Sequence, residues 1–190
     1  MRQAAFAWAI VAALGCNVPA AAGPRVRLET SAGAIVIDLD ETRAPITAKN
    51  FLDYVTRGYY DGTIFHRVIP GFIVQGGGYD AQLEPRQPAP PIFNESGNGL
   101  GNLRGTIGMG RANDPHSANS QFYFNLADNR SSLDPKPTRW GYAVFGVILE
   151  GLEVAEAIAN TETIERKGLT GVPPEPVVIK RVVVEPGSSP

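Results

Sequence analysis

Residues 65–77 read FHRVIPGFIVQGG. Phe, Val and Ile suit this segment to β-strands, and Pro70-Gly71 interrupts it as a turn would. Yet Arg67 and Gln75 sit among the hydrophobes. A guanidinium and a primary amide on sheet-forming segments admit two answers. Arg67 could be a structural arginine paired with a carboxylate, or both side chains could belong to a binding face.

The flanking sequence extends the β pattern. Val26 to Thr30 and Ala34 to Asp40 enclose Ser31-Ala32-Gly33 and read as a hairpin, with Ile35, Ile37 and Leu39 on one face. Further short strands are expected at 64–67, 72–75, 106–109, 121–125 and 143–147, with a long closing strand at 177–185. Two helices interrupt them. Residues 44–58 carry Pro45 and Thr47 as start signals, Gly58 as a stop, and Phe51, Tyr54 and Val55 on one face. Residues 151–160, GLEVAEAIAN, form a second, short amphipathic helix. The Pro-rich run 82–96 reads as a surface loop, and 187–190 as a frayed end. Many strands, two helices and one core point to a mainly β fold, a β-barrel with helices on its ends. Closure would also remove exposed strand edges.

The chain has 190 residues, room for one domain, with ordinary globular composition at 43% hydrophobic and 19% charged. A formal net charge of −2 gives no basic field for nucleic acid. Residues 1–22 stand apart. A weakly basic start, the apolar run 4–14 and Ala20-Ala21-Ala22 read as a secretory signal peptide, leaving 23–190 as the mature domain. The alternative is lipoprotein processing, with Cys16 lipidated and the domain tethered to a membrane. Cys16 is the single cysteine, so cleavage after Ala22 would leave a thiol-free exported protein.

Most familiar chemistries find no residues. Two histidines, His66 and His116, and one cysteine make no metal-ligand spacing. There is no GxSxG elbow and no P-loop, and the glycines of GNGLG and GMG read as turn glycines. Asn94-Glu95-Ser96 and Asn129-Arg130-Ser131 match the three-residue glycosylation pattern, a weak signal.

In order along the chain, 65–77 is similar to the FHRxIxxFxxQGG signature of the cyclophilin family of peptidyl-prolyl isomerases, 105–110 (GTIGMG) to its strand ending in Met-Ala, 119–125 (NSQFYFN) to its SQFF segment and 143–148 (AVFGVI) to its VFGxV strand. The match runs from about Val26 to Glu185 and most resembles bacterial exported members. It implies a closed eight-stranded antiparallel barrel capped by two α-helices, with the substrate groove on its outer surface. Arg67 would be the catalytic residue, donating to the prolyl nitrogen of a twisted Xaa-Pro amide. Phe72, Ile73, Tyr123 and Leu133 would hold the proline ring, and Gln75 the substrate carbonyl. The backbone near Asn113 would pair with the residue before proline, and Gln121 and Tyr142 would line the groove.

That chemistry needs no metal and no cofactor. Resonance stiffens the amide C–N bond, with a barrier of roughly 18–20 kcal/mol. In the twisted state the resonance is lost and the nitrogen regains its lone pair, so a donor aimed there helps only in the transition state. The implied partners are unfolded or partly folded proline-containing proteins, met by a monomer in the periplasm, or at a membrane if Cys16 carries lipid. One departure stands out. Ser132 occupies the position before Leu133 where many eukaryotic members carry a cyclosporin-binding tryptophan, while Trp140 lies further on. Weak cyclosporin binding with retained isomerase activity is the expectation.

Overall fold

The computed structural model describes residues 23–186. The signal or lipoprotein segment with Cys16, and the tail from Gly187, lie outside the described residues. The elements, in chain order, are β1 (Arg25–Thr30), β2 (Ala34–Leu39), α1 (Pro45–Thr56), β3 (Thr63–Ile69), β4 (Ile73–Asp80), β5 (Thr106–Met109), β6 (Phe122–Asn125), α2 (Arg130–Leu133), β7 (Val144–Glu150), α3 (Leu152–Ala159), β8 (Ile164–Arg166), β9 (Leu169–Val172) and β10 (Ile179–Val184).

Eight strands form one antiparallel sheet in the order β10-β1-β2-β7-β5-β6-β4-β3. Its two edges meet. Ile64 bridges Val178, Phe65 N–H donates to Val177 O at 3.1 Å and Gly62 N–H to Ile179 O at 2.8 Å. The sheet is thus a nearly closed barrel, as the strand pattern implied. Its interior is aromatic. Phe51 of α1 reaches in to pack edge-on against Phe122 at 5.5 Å between centroids and against Phe145 at 5.4 Å, with Phe65 and Phe124 completing the wall. Rings at these separations and tilts add to the area they bury.

Helix α1 starts at Pro45, whose missing N–H costs nothing at the first turn. No side chain of its own caps it. Glu95, from the Pro-rich loop, does so instead: its carboxylate accepts from Ile46 N–H at 3.0 Å, Thr47 N–H at 2.7 Å and the Thr47 hydroxyl at 2.6 Å. A carboxylate there satisfies orphan donors and opposes the helix dipole. The helix stops at Gly58, φ +63°, where Tyr59 N–H returns to Tyr54 O and Gly58 N–H to Val55 O, a Schellman closure. Helix α3 buries Ala155, Ile158 and Ala159.

Two elements lie beyond the sequence expectation. The one-turn α2 has no apolar periodicity to announce it, and it caps neither barrel end. The hairpin β8–β9 turns on Lys167, φ +51°, and Gly168, and packs Val172 over Ile64 and Leu83 in a satellite cluster outside the main core. The two sequons are not surface acceptors. Asn94 and Asn129 are only 4% and 5% exposed, and their amides donate to Pro115 O and Gly141 O, and to Phe72 O and the Asn125 side chain.

Candidate active site

The opening segment folds as an antiparallel pair, β3 and β4, across the Pro70-Gly71 turn. Simple alternation would put Phe65 and Arg67 on the same face. The register forbids it: Phe65 pairs with Gly76 and Arg67 with Gln75, so one residue, His66, is extra. This bulge reverses the phase of the strand. Phe65 enters the core, fully buried, while Arg67 faces outward. The guanidinium is tolerated on an apolar strand because the bulge takes it off the core face.

The row continues across the sheet. Arg67 pairs with Gln75, Gln75 with Tyr123, and Tyr123 with Gly108, a line over β3, β4, β6 and β5. Phe122 and Phe124, either side of Tyr123, point into the core. Tyr123 is only 2% exposed, yet it forms the floor of an outer cleft.

That cleft holds about 350 Å³ and is lined by Arg67, Phe72, Ile73, Gln75, Gly110, Arg111, Tyr123, Ser132, Leu133, Arg139 and Tyr142. Seven expected residues thus converge, from β3, β4, β6, α2 and two loop positions, Phe72 and Tyr142. Gln121 stands just behind the wall, its Oε1 accepting from Gln75 Nε2 at 2.8 Å. Arg67 Nη1 reaches Gln75 Oε1 only at 3.4 Å, a long contact that leaves its other donors to the cleft. Asn113 is not part of the lining. It is exposed on the loop after β5, and Gly110 and Arg111 are the residues that reach the cleft instead.

Behind the floor lies a buried polar network that the sequence did not announce. The Tyr123 hydroxyl donates to Asn102 Oδ1 at 2.6 Å, and Asn125 Nδ2 donates to the same oxygen at 3.1 Å. Asn102 in turn donates from its backbone and its side-chain amide to Asp134 Oδ1, both at 2.8 Å. Asn129 ties Asn125 to Phe72 O. Burial pushes the Tyr123 phenol well above its ordinary range, so it remains a hydrogen-bond donor. These bonds fix Phe72, Tyr123 and, through Leu133 O accepting from Tyr142 N–H at 2.9 Å, the far wall. Three asparagines, Asn102, Asn125 and Asn129, carry no periodic signal, which is why only structure reveals them.

The arrangement sets the Arg67 guanidinium, with the Gln75 amide beside it, above a largely apolar floor, and the lining holds no cysteine, histidine or carboxylate. Residues 25–184 match the family model described as cyclophilin type peptidyl-prolyl cis-trans isomerase/CLD. The chain belongs to the cyclophilin family. It is 50% identical over 155 residues to peptidyl-prolyl cis-trans isomerase A of Dickeya dadantii, covering 82% of this chain and 81% of that one. To isomerase B of Escherichia coli K12 it is 43% identical over 162 residues, 84% of this chain and 98% of that one. Among solved structures, a cyclophilin type isomerase of Cryptosporidium parvum superposes with TM-score 0.68 at 28% identity, covering 85% of this chain and 97% of that chain. The same parvum protein has been crystallised in the presence of the dipeptide Ala-Pro, again with TM-score 0.68. This cyclophilin is accordingly a peptidyl-prolyl cis-trans isomerase with its cleft on the outer barrel face.

Proposed function

We propose that this cyclophilin speeds Xaa-Pro isomerisation in exported, folding chains, with Arg67 as the catalytic residue. The observation that carries the reading is the bulge-directed row Arg67–Gln75–Tyr123, which places a guanidinium beside an apolar, proline-sized floor. Phe72, Ile73, Tyr123 and Leu133 take the ring. Gln75, held by Gln121, takes the substrate carbonyl. Backbone at Gly110 and Arg111 takes the residue before proline, the role expected near Asn113. As the amide twists, Arg67 donates to the nitrogen lone pair, and the apolar wall strengthens that bond by excluding water. No proton changes hands. Export rests on the N-terminal pattern of residues 1–22, and the protein acts as a monomer.

The test is cis/trans exchange of a blocked Ala-Pro peptide, read by NMR with the chain from Gly23 onward. Arg67→Ala should slow exchange by roughly 10²–10³, the cost of one preorganised donor. A wild-type protein that binds the peptide without speeding exchange would make the cleft a recognition site instead. Fractionation of cells expressing the full chain tests export, and a cytoplasmic full-length product would overturn it.

A further inference from the structure

The cleft is cationic on a protein that is not. The chain carries a formal net charge of −2, yet Arg67, Arg111 and Arg139 all line the cleft and no Asp or Glu does. Among the described residues none of these three guanidiniums is in an ion pair with a carboxylate.

Two of them are built in place by backbone oxygens. Arg111 donates to Gly141 O at 3.1 Å, Ala112 O at 2.8 Å and Trp140 O at 2.9 Å, and its guanidinium lies 4.5 Å from the Tyr142 ring centroid. Arg139 donates from a single nitrogen, Nη2, to Ser132 O at 2.7 Å and Asp134 O at 3.3 Å. A guanidinium has five N–H groups, so both keep donors for a ligand. The adjacent carboxylate, Asp134, is turned away and bonded to Asn102. Carbonyls orient a guanidinium without cancelling its charge. Such prepositioned, uncompensated arginines suit a planar carboxylate.

From this we infer that the cleft selects proline segments carrying an acidic side chain next to the proline, with Arg139 and Arg111 as specificity-determining residues flanking the ring pocket. The inference rests on the isomerase reading and adds a substrate class to it. Phosphate esters near proline would meet the same guanidiniums, but the carboxylate is the class the Arg–carboxylate geometry matches without further donors.

The experiment uses four blocked peptides, Ala-Ala-Pro-Ala, Ala-Glu-Pro-Ala, Ala-Ala-Pro-Glu and Ala-Lys-Pro-Ala. Exchange rates and dissociation constants are both read by NMR on the chain from Gly23 onward. At low salt the better Glu peptide should exceed the Ala peptide in kcat/KM by roughly threefold to fivefold, the range of a partly exposed ion pair. The Lys peptide should fall below it. Raising salt to about 0.3 M should erase most of the difference, because exposed pairs are screened. Arg139→Gln, an exposed substitution, should bring the Glu-to-Ala ratio towards one for at least one Glu peptide. Equal constants for Glu, Ala and Lys peptides in the wild type would overturn the inference, as would a preference that survives both Arg139→Gln and Arg111→Gln. Failure of the isomerase reading would look different: no peptide would be accelerated, and the ratio of dissociation constants would still decide the role of the arginines.

Discussion

Gly108 lies directly opposite Tyr123 across β5 and β6, and a Cβ built on it would come within 2.9 Å of Tyr123 Cε2 and overlap Cζ and the hydroxyl oxygen. The glycine therefore underlies the cleft floor. It supplies the space in which a tyrosine, rather than a smaller ring, can lie flat with its hydroxyl buried on Asn102. Gly108→Ala should destabilise the protein by about 1–3 kcal/mol, the usual cost of overpacking, and should weaken peptide binding by tilting the ring. Pairing it with Tyr123→Phe frees the ring from its Asn102 tether and should recover part of the loss. A double-mutant cycle by urea denaturation should give a coupling of at least about 0.5 kcal/mol. Strict additivity would show that the contact does not constrain the ring.

Asn102 is fully buried and close to saturated: its oxygen accepts two bonds, and its amide serves Asp134 and, at 3.3 Å, Tyr142 O. Asn102→Ala should leave the Tyr123 hydroxyl without its acceptor and the Asn125 amide with Thr106 Oγ1 alone. The expected loss of stability is about 2–3 kcal/mol, since an orphaned buried polar group costs its desolvation. The surviving folded protein should show a higher KM with a smaller change in kcat, because Arg67 is untouched while the ring pocket loosens. An unchanged denaturation midpoint would remove the network from any supporting role.

The barrel was legible where residue type and spacing reflect burial. The hairpin at Ala34, the helix stopped by Gly58 and the closing strand all reappear within a few residues of their expected bounds. Arg67 and Gln75 could be singled out but not explained, because alternation places Phe65 and Arg67 on one face and only the bulge at His66 separates them. The bulge is a matter of the register of β3 against its neighbour β4, which the alternation of residue types does not encode. Arg111, Arg139 and Asn102 were missed for a related reason. Arg111 is placed by carbonyls about 30 residues away, Arg139 by carbonyls of the turn before it and Asn102 by the Asp134 carboxylate, and such partners leave no periodic pattern.

His66, the bulged residue, is 3% exposed, and its Nδ1 finds no hydrogen-bond partner among the described residues. Burial, with a smaller contribution from the Arg67 charge, lowers its pKa from 6.5 to about 4. The unfolded chain therefore takes up a proton that the folded chain refuses between these values. Stability is fully present above about pH 6.5, falls as the pH drops towards about 4, and gains no further slope from this group below that. The contribution is about 3 kcal/mol across the window. Urea midpoints of wild type minus His66→Gln, measured from pH 7 to pH 4, should show this slope. A difference flat with pH would mean that His66 is hydrated or already charged in the fold.

Cyclosporin tests the wall on the Ser132 side. Ser132 lines the cleft, while Trp140 does not: its ring is 45% exposed and packs edge-on against His116 at 5.1 Å and Phe93 at 6.2 Å. Arg111 holds the Trp140 backbone through its carbonyl, and the indole packs with Phe93 and His116 outside the cleft lining, so it does not take the place of the family's cyclosporin-binding tryptophan. Inhibition of Ala-Pro exchange by cyclosporin should therefore be weak, at micromolar drug or above. Ser132→Trp restores a large flat surface and an indole N–H beside Leu133, and should tighten inhibition at least about tenfold, equivalent to about 1.4 kcal/mol. Isomerase activity on the small peptide should change far less, because the drug covers more of the wall than a proline ring does. Nanomolar inhibition of the wild type would show that another surface, with the Trp140 cluster the first to examine by substitution, supplies the missing contact.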